Sequence, residues 1–163
     1  MKIKLALLSA TSILLVVGII LLTYALKTPS SGNDAIYVDF SDKEEDVISF
    51  DSLALVPGDS CTYTVYLRTG FTDTYNVTLA FVAGETTTLG KDVCARVAAE
   101  DGTVLCDAPL ATLFTIEAFD FSCELADGKD YALTVTYYMS EDVGNEAKNA
   151  EVIFDLKVTA SNE

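Results

Sequence analysis

The chain has 163 residues, of which 10 are Lys or Arg and 25 are Asp or Glu, so its formal net charge at pH 7 is −15. A surface this acidic repels the phosphates of nucleic acids, which excludes nucleic acid as a partner. The sequence contains no histidine, so it lacks the ligands of an H-E-x-x-H zinc hydrolase and the base of a Ser-His-Asp hydrolase.

The chain begins with an apolar segment long enough to cross a membrane. Residues Leu5–Leu26 carry no charge, and a helix of that length spans a hydrocarbon core of ~30 Å. Lys2 and Lys4 precede the segment, which orients the rest of the chain outward. Residues 23–25 form a poor cleavage site, so residues 1–27 are either a signal peptide or a signal anchor. We therefore predict an extracytoplasmic protein, anchored with its N-terminus inside or secreted to the cell surface or matrix.

A polar linker, residues 28–34, leads into a region in which apolar and polar residues alternate. The alternation recurs in IYVDF (36–40), SCTYTVYLR (60–68), YNVTLAFVA (75–83), FDFSCEL (119–125), YALTVTYYM (131–139) and EVIFDLKVT (151–159). Turn residues such as Pro57-Gly58-Asp59 separate these runs, and Pro109 could open one helical turn. Strands with one apolar face need a second sheet to cover it. We predict an all-β, two-sheet antiparallel, jelly-roll-like sandwich over residues 35–163, preceded by one N-terminal hydrophobic helix.

Four cysteines in an exported domain predict two disulfides, and three pairings are possible. Residues 94–106 form a predicted hairpin that folds at residues 100–102, which favours a Cys94–Cys106 bridge. The register is imperfect, because a turn centred on residues 101–102 sets Cys106 opposite Val97. Cys61 and Cys123, each on the apolar side of its strand, then form the second bridge. Four reduced, buried cysteines are the alternative interpretation.

The acidic segment DFSDKEED, residues 39–46, is a weak candidate for Ca²⁺ binding because hard cations favour several carboxylate oxygens. The candidate ligands are Asp39, Asp42, Glu44, Glu45 and Asp46. The segment lacks the residue order of an EF-hand, and a solvated acidic edge that discourages unwanted strand pairing explains it more simply. We predict no cofactor and no catalytic residues, although 25 acids always supply some carboxylate pair of the glycosidase type.

Three segments, in this order, resemble the TasA/camelysin family of exported bacterial proteins that a SipW-type signal peptidase processes. They are AIYVDF (35–40), SFDSLALVPGDSCTYTVYLR (49–68) and VGNEAKNAEVIFDLKVTAS (143–161). The chain departs from the family in its four cysteines and in the residues that end its last strand. The resemblance implies a jelly-roll-like sandwich, secretion and a role at the cell surface or in the matrix. Some members of the family build fibres by donating an N-terminal strand, and camelysin has been described as a metalloprotease.

These observations leave three functional hypotheses. The first is an exported, non-catalytic structural protein of the cell surface or matrix, with self-assembly as an option if Ile36, Val38 and Phe40 form a donor strand. Pairing of that strand within its own domain is the simpler expectation. The second is a membrane-anchored binding module for a glycan or protein, in which exposed Tyr66 and Tyr138 could stack on a sugar, although cross-strand packing is the plainer interpretation. The third, a camelysin-like peptidase, is disfavoured by the absence of histidine.

Overall fold

The computed structural model describes residues 35–84, 91–144 and 151–162, which lie within one compact unit, Gly32–Glu163. In chain order their elements are β1 Ala35–Asp39, β2 Glu45–Ala54, β3 Ser60–Arg68, β4 Asp73–Ala83, β5 Val93–Ala98, β6 Val104–Pro109, α1 Leu110–Leu113, β7 Phe119–Leu125, β8 Tyr131–Met139 and β9 Glu151–Asn162. The predicted N-terminal helix and linker lie outside the described residues. The described part of the chain contains no helix that is long and apolar enough to span a membrane.

The strands form two facing sheets. A five-stranded sheet has the order β1-β3-β8-β5-β6, and a four-stranded sheet has the order β2-β9-β4-β7. The chain crosses from one sheet to the other at most connections, while β5 and β6 form the predicted hairpin. Neighbouring strands are antiparallel, except that β1 runs parallel to β3. The predicted two-sheet β-sandwich is thus confirmed, with a parallel first strand that the alternation pattern did not predict.

Phe154 of β9 lies at the centre of the core between the two sheets. Its ring stacks on Phe50 of β2 with 4.8 Å between centroids and meets the ring of Tyr137 in β8 at 5.1 Å. The side chain of Phe154 is only 1% exposed. Because Phe50 and Phe154 belong to the four-stranded sheet and Tyr137 to the five-stranded sheet, this aromatic cluster joins the two layers.

The Pro57-Gly58-Asp59 turn links β2 in one sheet to β3 in the other. The Asp59 amide donates to the Val56 carbonyl at 2.9 Å, and Gly58 has a φ of 91°. Proline at the second position and a positive φ at the third are typical of a type II turn, which favours glycine there. The Gly58 amide also donates to the Met139 carbonyl at 3.0 Å, so the predicted turn is fastened to the end of β8.

β2 is a strand that the alternation pattern did not predict, and a bulge explains why. It pairs with β9, but the register shifts between Phe50 and Leu53. Ile48 and Phe50 are buried before the shift, and Leu53 is buried after it. An extra residue in one strand moves the following side chains to the other phase of the pleat, so a strict period of two is interrupted within β2.

The first prediction concerns the aromatic cluster. Phe154→Ala removes a buried ring that contacts both sheets, so we expect the free energy of unfolding to fall by about 3–5 kcal/mol. Denaturant titration followed by far-ultraviolet circular dichroism measures the loss. Val47→Ala on the exposed side of β2 is the matched control, with an expected change within about 0.5 kcal/mol. Equal losses in the two variants would contradict the central position of Phe154.

Candidate functional site

The outward side chains of three neighbouring strands form a polar and aromatic surface on the five-stranded sheet. Alternate residues of β1, β3 and β8 point away from the core, and the register aligns them in rows across the strands. We call this surface the tyrosine–threonine face and define it by Tyr37, Thr62, Thr64, Tyr66, Thr134, Thr136 and Tyr138. It includes both tyrosines, Tyr66 and Tyr138, that the sequence singled out for sugar stacking.

A stack of three side chains closes one end of the face. The rings of Tyr37 and Tyr66 are nearly parallel, with centroids 5.2 Å apart, and the guanidinium of Arg68 lies 4.0 Å from the centroid of Tyr37. Arg68 in turn donates through Nε to Oδ1 of Asp130 and through Nη2 to Oδ2 at 2.8 Å. A bidentate pair of this kind fixes the plane of the guanidinium, so Asp130 positions the whole stack.

Threonine side chains form the middle of the face. Thr62 is aligned with Thr136, and their hydroxyl oxygens lie 3.1 Å apart in a shared hydrogen bond. Thr64 is aligned with Thr134 in the next row. A hydroxyl offers one donor and two acceptor positions, so these two rows present hydrogen-bonding groups without net charge.

Tyr138 marks the far end of the face. Its hydroxyl donates to Oδ1 of Asp107 at 2.7 Å. This hydrogen bond is the main reason that the pKa of Tyr138 is raised, and burial is the second reason. Tyr138, Asp107, Thr136 and Arg96 line part of a shallow depression of about 640 Å³. The concave part of the tyrosine–threonine face therefore lies between Tyr138 and β5.

The two outer faces of the sandwich differ in charge. On the five-stranded sheet, two arginines among the outward strand residues are balanced by two aspartates: Arg68, Arg96, Asp39 and Asp107. On the four-stranded sheet, four described outward acids are balanced by a single lysine: Glu45, Asp120, Glu124, Asp155 and Lys157. Among the described strand residues, the acidic excess thus lies on the outer face of the four-stranded sheet.

The candidate calcium ligands do not converge. Lys43 bridges Asp46 at 2.7 Å, and Lys157 bridges Glu45 at 2.7 Å. No group of three or more Asp, Glu, Cys or His that could hold a metal occurs among residues 35–84, 91–144 and 151–162. Pairing with lysines and solvation explain the segment, and the structure does not assemble a calcium site from Asp39, Asp42, Glu44, Glu45 and Asp46.

The candidate donor strand, β1, pairs within its own domain, which is the simpler of the two arrangements expected from the sequence. β1 lies at the edge of the five-stranded sheet and pairs with β3. Val38 is fully buried, Phe40 is 7% exposed and Ile36 packs against the core from a partly buried position. The amide of Phe40 donates to the Arg68 carbonyl at 2.8 Å, so pairing with β3 continues just beyond the strand.

All four cysteines are free thiols, and neither predicted disulfide is formed. Cys94 aligns with Pro109, while Cys106 aligns with Val97. The two cysteines are therefore offset by three register positions and point to opposite faces of the sheet. The turn at residues 101–102 was placed correctly, and that register itself prevents the Cys94–Cys106 bridge.

Cys61 and Cys123 both point inward but belong to opposite ends of the sandwich. Cys61 aligns with Tyr137 near the end of β8. Phe121, two residues before Cys123, stacks on Tyr131 at the start of β8, with 6.3 Å between centroids. The six residues of β8 from Tyr131 to Tyr137 correspond to about 20 Å. The Cα atoms of a disulfide lie only about 4.4–6.8 Å apart, so Cys61 and Cys123 are too far apart to form the second bridge.

The second prediction concerns thiol reactivity. Burial raises the pKa of the Cys106 thiol and raises that of Cys123 to about 11, whereas Cys94 is half-buried on the outer face. Without reductant, we expect iodoacetamide to label Cys94 first in the native chain and all four cysteines in denaturant. Mass spectrometry of intact protein and peptides counts the adducts. A chain that takes no label in denaturant until it is reduced would establish the disulfides instead.

The third prediction concerns acid stability. The hydrogen bonds from Arg68 hold the pKa of Asp130 below its usual range. This pair therefore stabilises the fold fully at pH values above the pKa of an unfolded aspartate, about 3.9. The contribution is lost as pH falls through the lower pKa of the folded state. We expect Asp130→Asn to lower the thermal midpoint at pH 6 and to have little effect near pH 2. Exposed Asp127→Asn is the control, and a deficit of Asp130→Asn that persists near pH 2 would contradict the prediction.

No protein-family model matches the chain, and no curated protein matches it. Among solved structures, Aeromonas hydrophila PliG, a periplasmic lysozyme inhibitor of g-type lysozyme, matches with a TM-score of 0.44 and 10% identity over 78% of this chain and 96% of its own. The pre-peptidase C-terminal domain of collagenase from Bacillus anthracis gives 0.38 and 10% over the same two shares. The CUB1-EGF-CUB2 domains of rat MASP-1 give 0.40 and 16% over 78% of this chain and 42% of theirs. Likenesses this distant carry no argument about function.

Proposed function

We propose that this chain is an exported, non-catalytic structural component of the cell surface or extracellular matrix, whose copies assemble by exchanging β1. The observation that carries the proposal is the position of β1. It is the first strand of the sandwich, it lies at a sheet edge, and it follows a polar segment at residues 28–34. An edge strand at the end of a linker can leave its own sheet without unthreading any other strand.

Exchange would preserve every contact that β1 makes. Leaving the sheet uncovers the edge of β3 and the sites that Val38 and Phe40 fill in the core. The β1 strand of a second copy has the same sequence and fits the same sites, so the open edge can be satisfied by strand addition. When each copy donates to the next without closing a ring, such contacts produce filaments.

The proposal of a non-catalytic role rests on the residue types present. The chain has no histidine, and its described part offers no cluster of potential metal ligands. The proposal of export rests on the apolar segment Leu5–Leu26 and the lysines before it. Retention of this segment would hold each copy at the membrane and would oppose long fibres.

Membership of the TasA/camelysin family is part of the same proposal. The three segments that carry the resemblance cover β1, the second half of β2 with the turn and β3, and nearly all of β9. β1 pairs with β3, and β2 pairs with β9. The segments therefore form connected parts of the sandwich, which supports treating them as a related set and not as independent coincidences.

The fourth prediction tests strand exchange by cross-linking. Ala35 of β1 and Thr64 of β3 are aligned in the register and both point outward. In the double variant Ala35→Cys/Thr64→Cys, exchange joins cysteines of different chains, so a short bifunctional maleimide should give a ladder of covalent multimers on denaturing gels. The reagent is added to assembled and to dilute samples of the full chain.

Ala35→Cys alone is the matched control: it offers one new thiol per copy, so any multimers beyond dimers must involve the native cysteines and define the background. The native cysteines contribute equally to both variants and are therefore accounted for. Cross-links that stay within single chains in assembled and dilute samples alike would refute exchange of β1. A ladder that requires both new cysteines would support it.

A further inference from the structure

We propose that the tyrosine–threonine face binds a linear, uncharged polysaccharide. This inference goes beyond the structural role proposed above and does not depend on strand exchange. It rests on three features of the outer face of the five-stranded sheet: a braced aromatic wall, a floor of hydroxyl groups and the lack of a positive excess of charge.

The wall is the ring of Tyr66. Tyr37 covers one side of this ring. Because β8 lies on the opposite side of β3 from β1, the other side of the ring is turned toward β8. The residue aligned with Tyr66 in β8 is Ala132, whose small side chain leaves the space beside the ring open. A sugar ring placed over Ala132 can rest its apolar C–H face against Tyr66.

This wall is fixed before any ligand arrives. The ring of Tyr37 contacts both the ring of Tyr66 and the guanidinium of Arg68, and Asp130 holds the guanidinium through two hydrogen bonds. A side chain that is already ordered loses little conformational entropy when it binds a partner. Cross-strand tyrosine packing alone requires only the tyrosine pair, so the additional Arg68–Asp130 brace is a feature that binding explains.

The floor consists of threonine hydroxyl groups. The Thr62 and Thr136 hydroxyls share a single hydrogen bond, which leaves further donor or acceptor positions for a ligand. In the part of the chain that the structure describes, no hydrogen bond engages the hydroxyls of Thr64 and Thr134. Polysaccharide hydroxyls also both donate and accept hydrogen bonds, so they can pair with these threonine hydroxyls.

The length of the face fits a chain and not a single sugar. Tyr66 is aligned with Ala132, which is six residues before Tyr138 in β8, so the two tyrosines are separated by about 20 Å along the strands. The depression beside Tyr138 has a volume of about 640 Å³ and continues the path toward Arg96. Several sugar rings in a row can therefore contact Tyr66, the threonines and Tyr138 together.

Charge selects an uncharged ligand. The chain as a whole has a net charge of −15, which repels anionic polymers. The outward strand residues of the face include two arginines and two aspartates, of which Arg68 and Asp107 are engaged by Asp130 and Tyr138. Asp130 and Glu100, which lines the depression, add negative charge, so the face has no positive excess that would hold an anionic polymer. A cationic polymer would be drawn instead to the acidic outer face of the four-stranded sheet.

The fifth prediction tests this site by native affinity electrophoresis. The full chain, solubilised in a detergent without a sugar headgroup, migrates through gels that contain a neutral β-glucan or a neutral galactomannan. We expect at least one neutral polymer to retard it in a concentration-dependent way that persists in high salt. An alginate gel is the anionic comparison and should not retard the chain.

Tyr66→Ala and Tyr138→Ala should each raise the dissociation constant for the retarding polymer about tenfold, because each loses a stacking surface. Tyr138→Phe keeps the ring and should weaken binding much less. Phe71→Ala removes a ring that is 67% exposed in the turn after β3, and this matched control should leave binding unchanged. The thermal midpoint of each variant confirms that its sandwich is folded.

Migration that no neutral polymer retards would overturn the proposal. Equal weakening by Phe71→Ala and Tyr66→Ala would also overturn it, since the effect would then be a general loss of exposed aromatic surface. A gel that contains chitosan is the cationic comparison. If it alone retarded the chain and salt abolished the effect, charge attraction at the acidic sheet would explain the binding and the proposed site would be excluded. None of these results bears on the cross-linking of β1, so the two proposals fail independently.

Discussion

The packing of two apolar sheet faces against each other is the constraint on which the rest of this structure depends. Each strand has apolar side chains at alternate positions, and a single sheet would leave that face in water. Phe154 and Phe50 from one sheet enclose Tyr137 from the other, so the aromatic cluster fixes how the layers face each other. The bulge in β2 keeps Leu53 in this core after the register shifts.

Since the inward positions are committed to packing, the outward positions are free to differ between the sheets. The four-stranded sheet has a predominantly acidic outer face, which favours solubility through self-repulsion. The five-stranded sheet has tyrosines, threonines and paired charges. The Arg68–Asp130 pair is half-exposed, so its contribution to stability is modest, but it holds Tyr37 and through it Tyr66. Its main consequence is therefore an ordered surface, which is what a binding face requires.

β1 connects the assembly proposal with the binding proposal. The strand contributes Val38 and Phe40 to the core and Tyr37 to the aromatic stack. An exchanged β1 from a neighbouring copy would rebuild the same stack, so a filament would repeat the tyrosine–threonine face at every subunit. The cysteines contribute to neither assembly nor binding. Cys106 and Cys123 are buried, and the strand register keeps the predicted disulfide partners apart.

The sequence by itself determined most of the strands, the turn at Pro57-Gly58-Asp59 and the identity of most core residues, because alternation and turn chemistry are local properties. It also placed Cys106 opposite Val97 from the position of one turn. The tertiary structure alone decided that β1 runs parallel to β3, that the β2 bulge shifts the buried phase, and that Arg68 meets Asp130 from 62 residues away. Strand order within a sheet depends on which apolar faces pack best together, and no local period records it. For the same reason, single tyrosines could be noted as exposed from sequence, but their convergence with the threonines and Arg68 into one surface required the folded sheet.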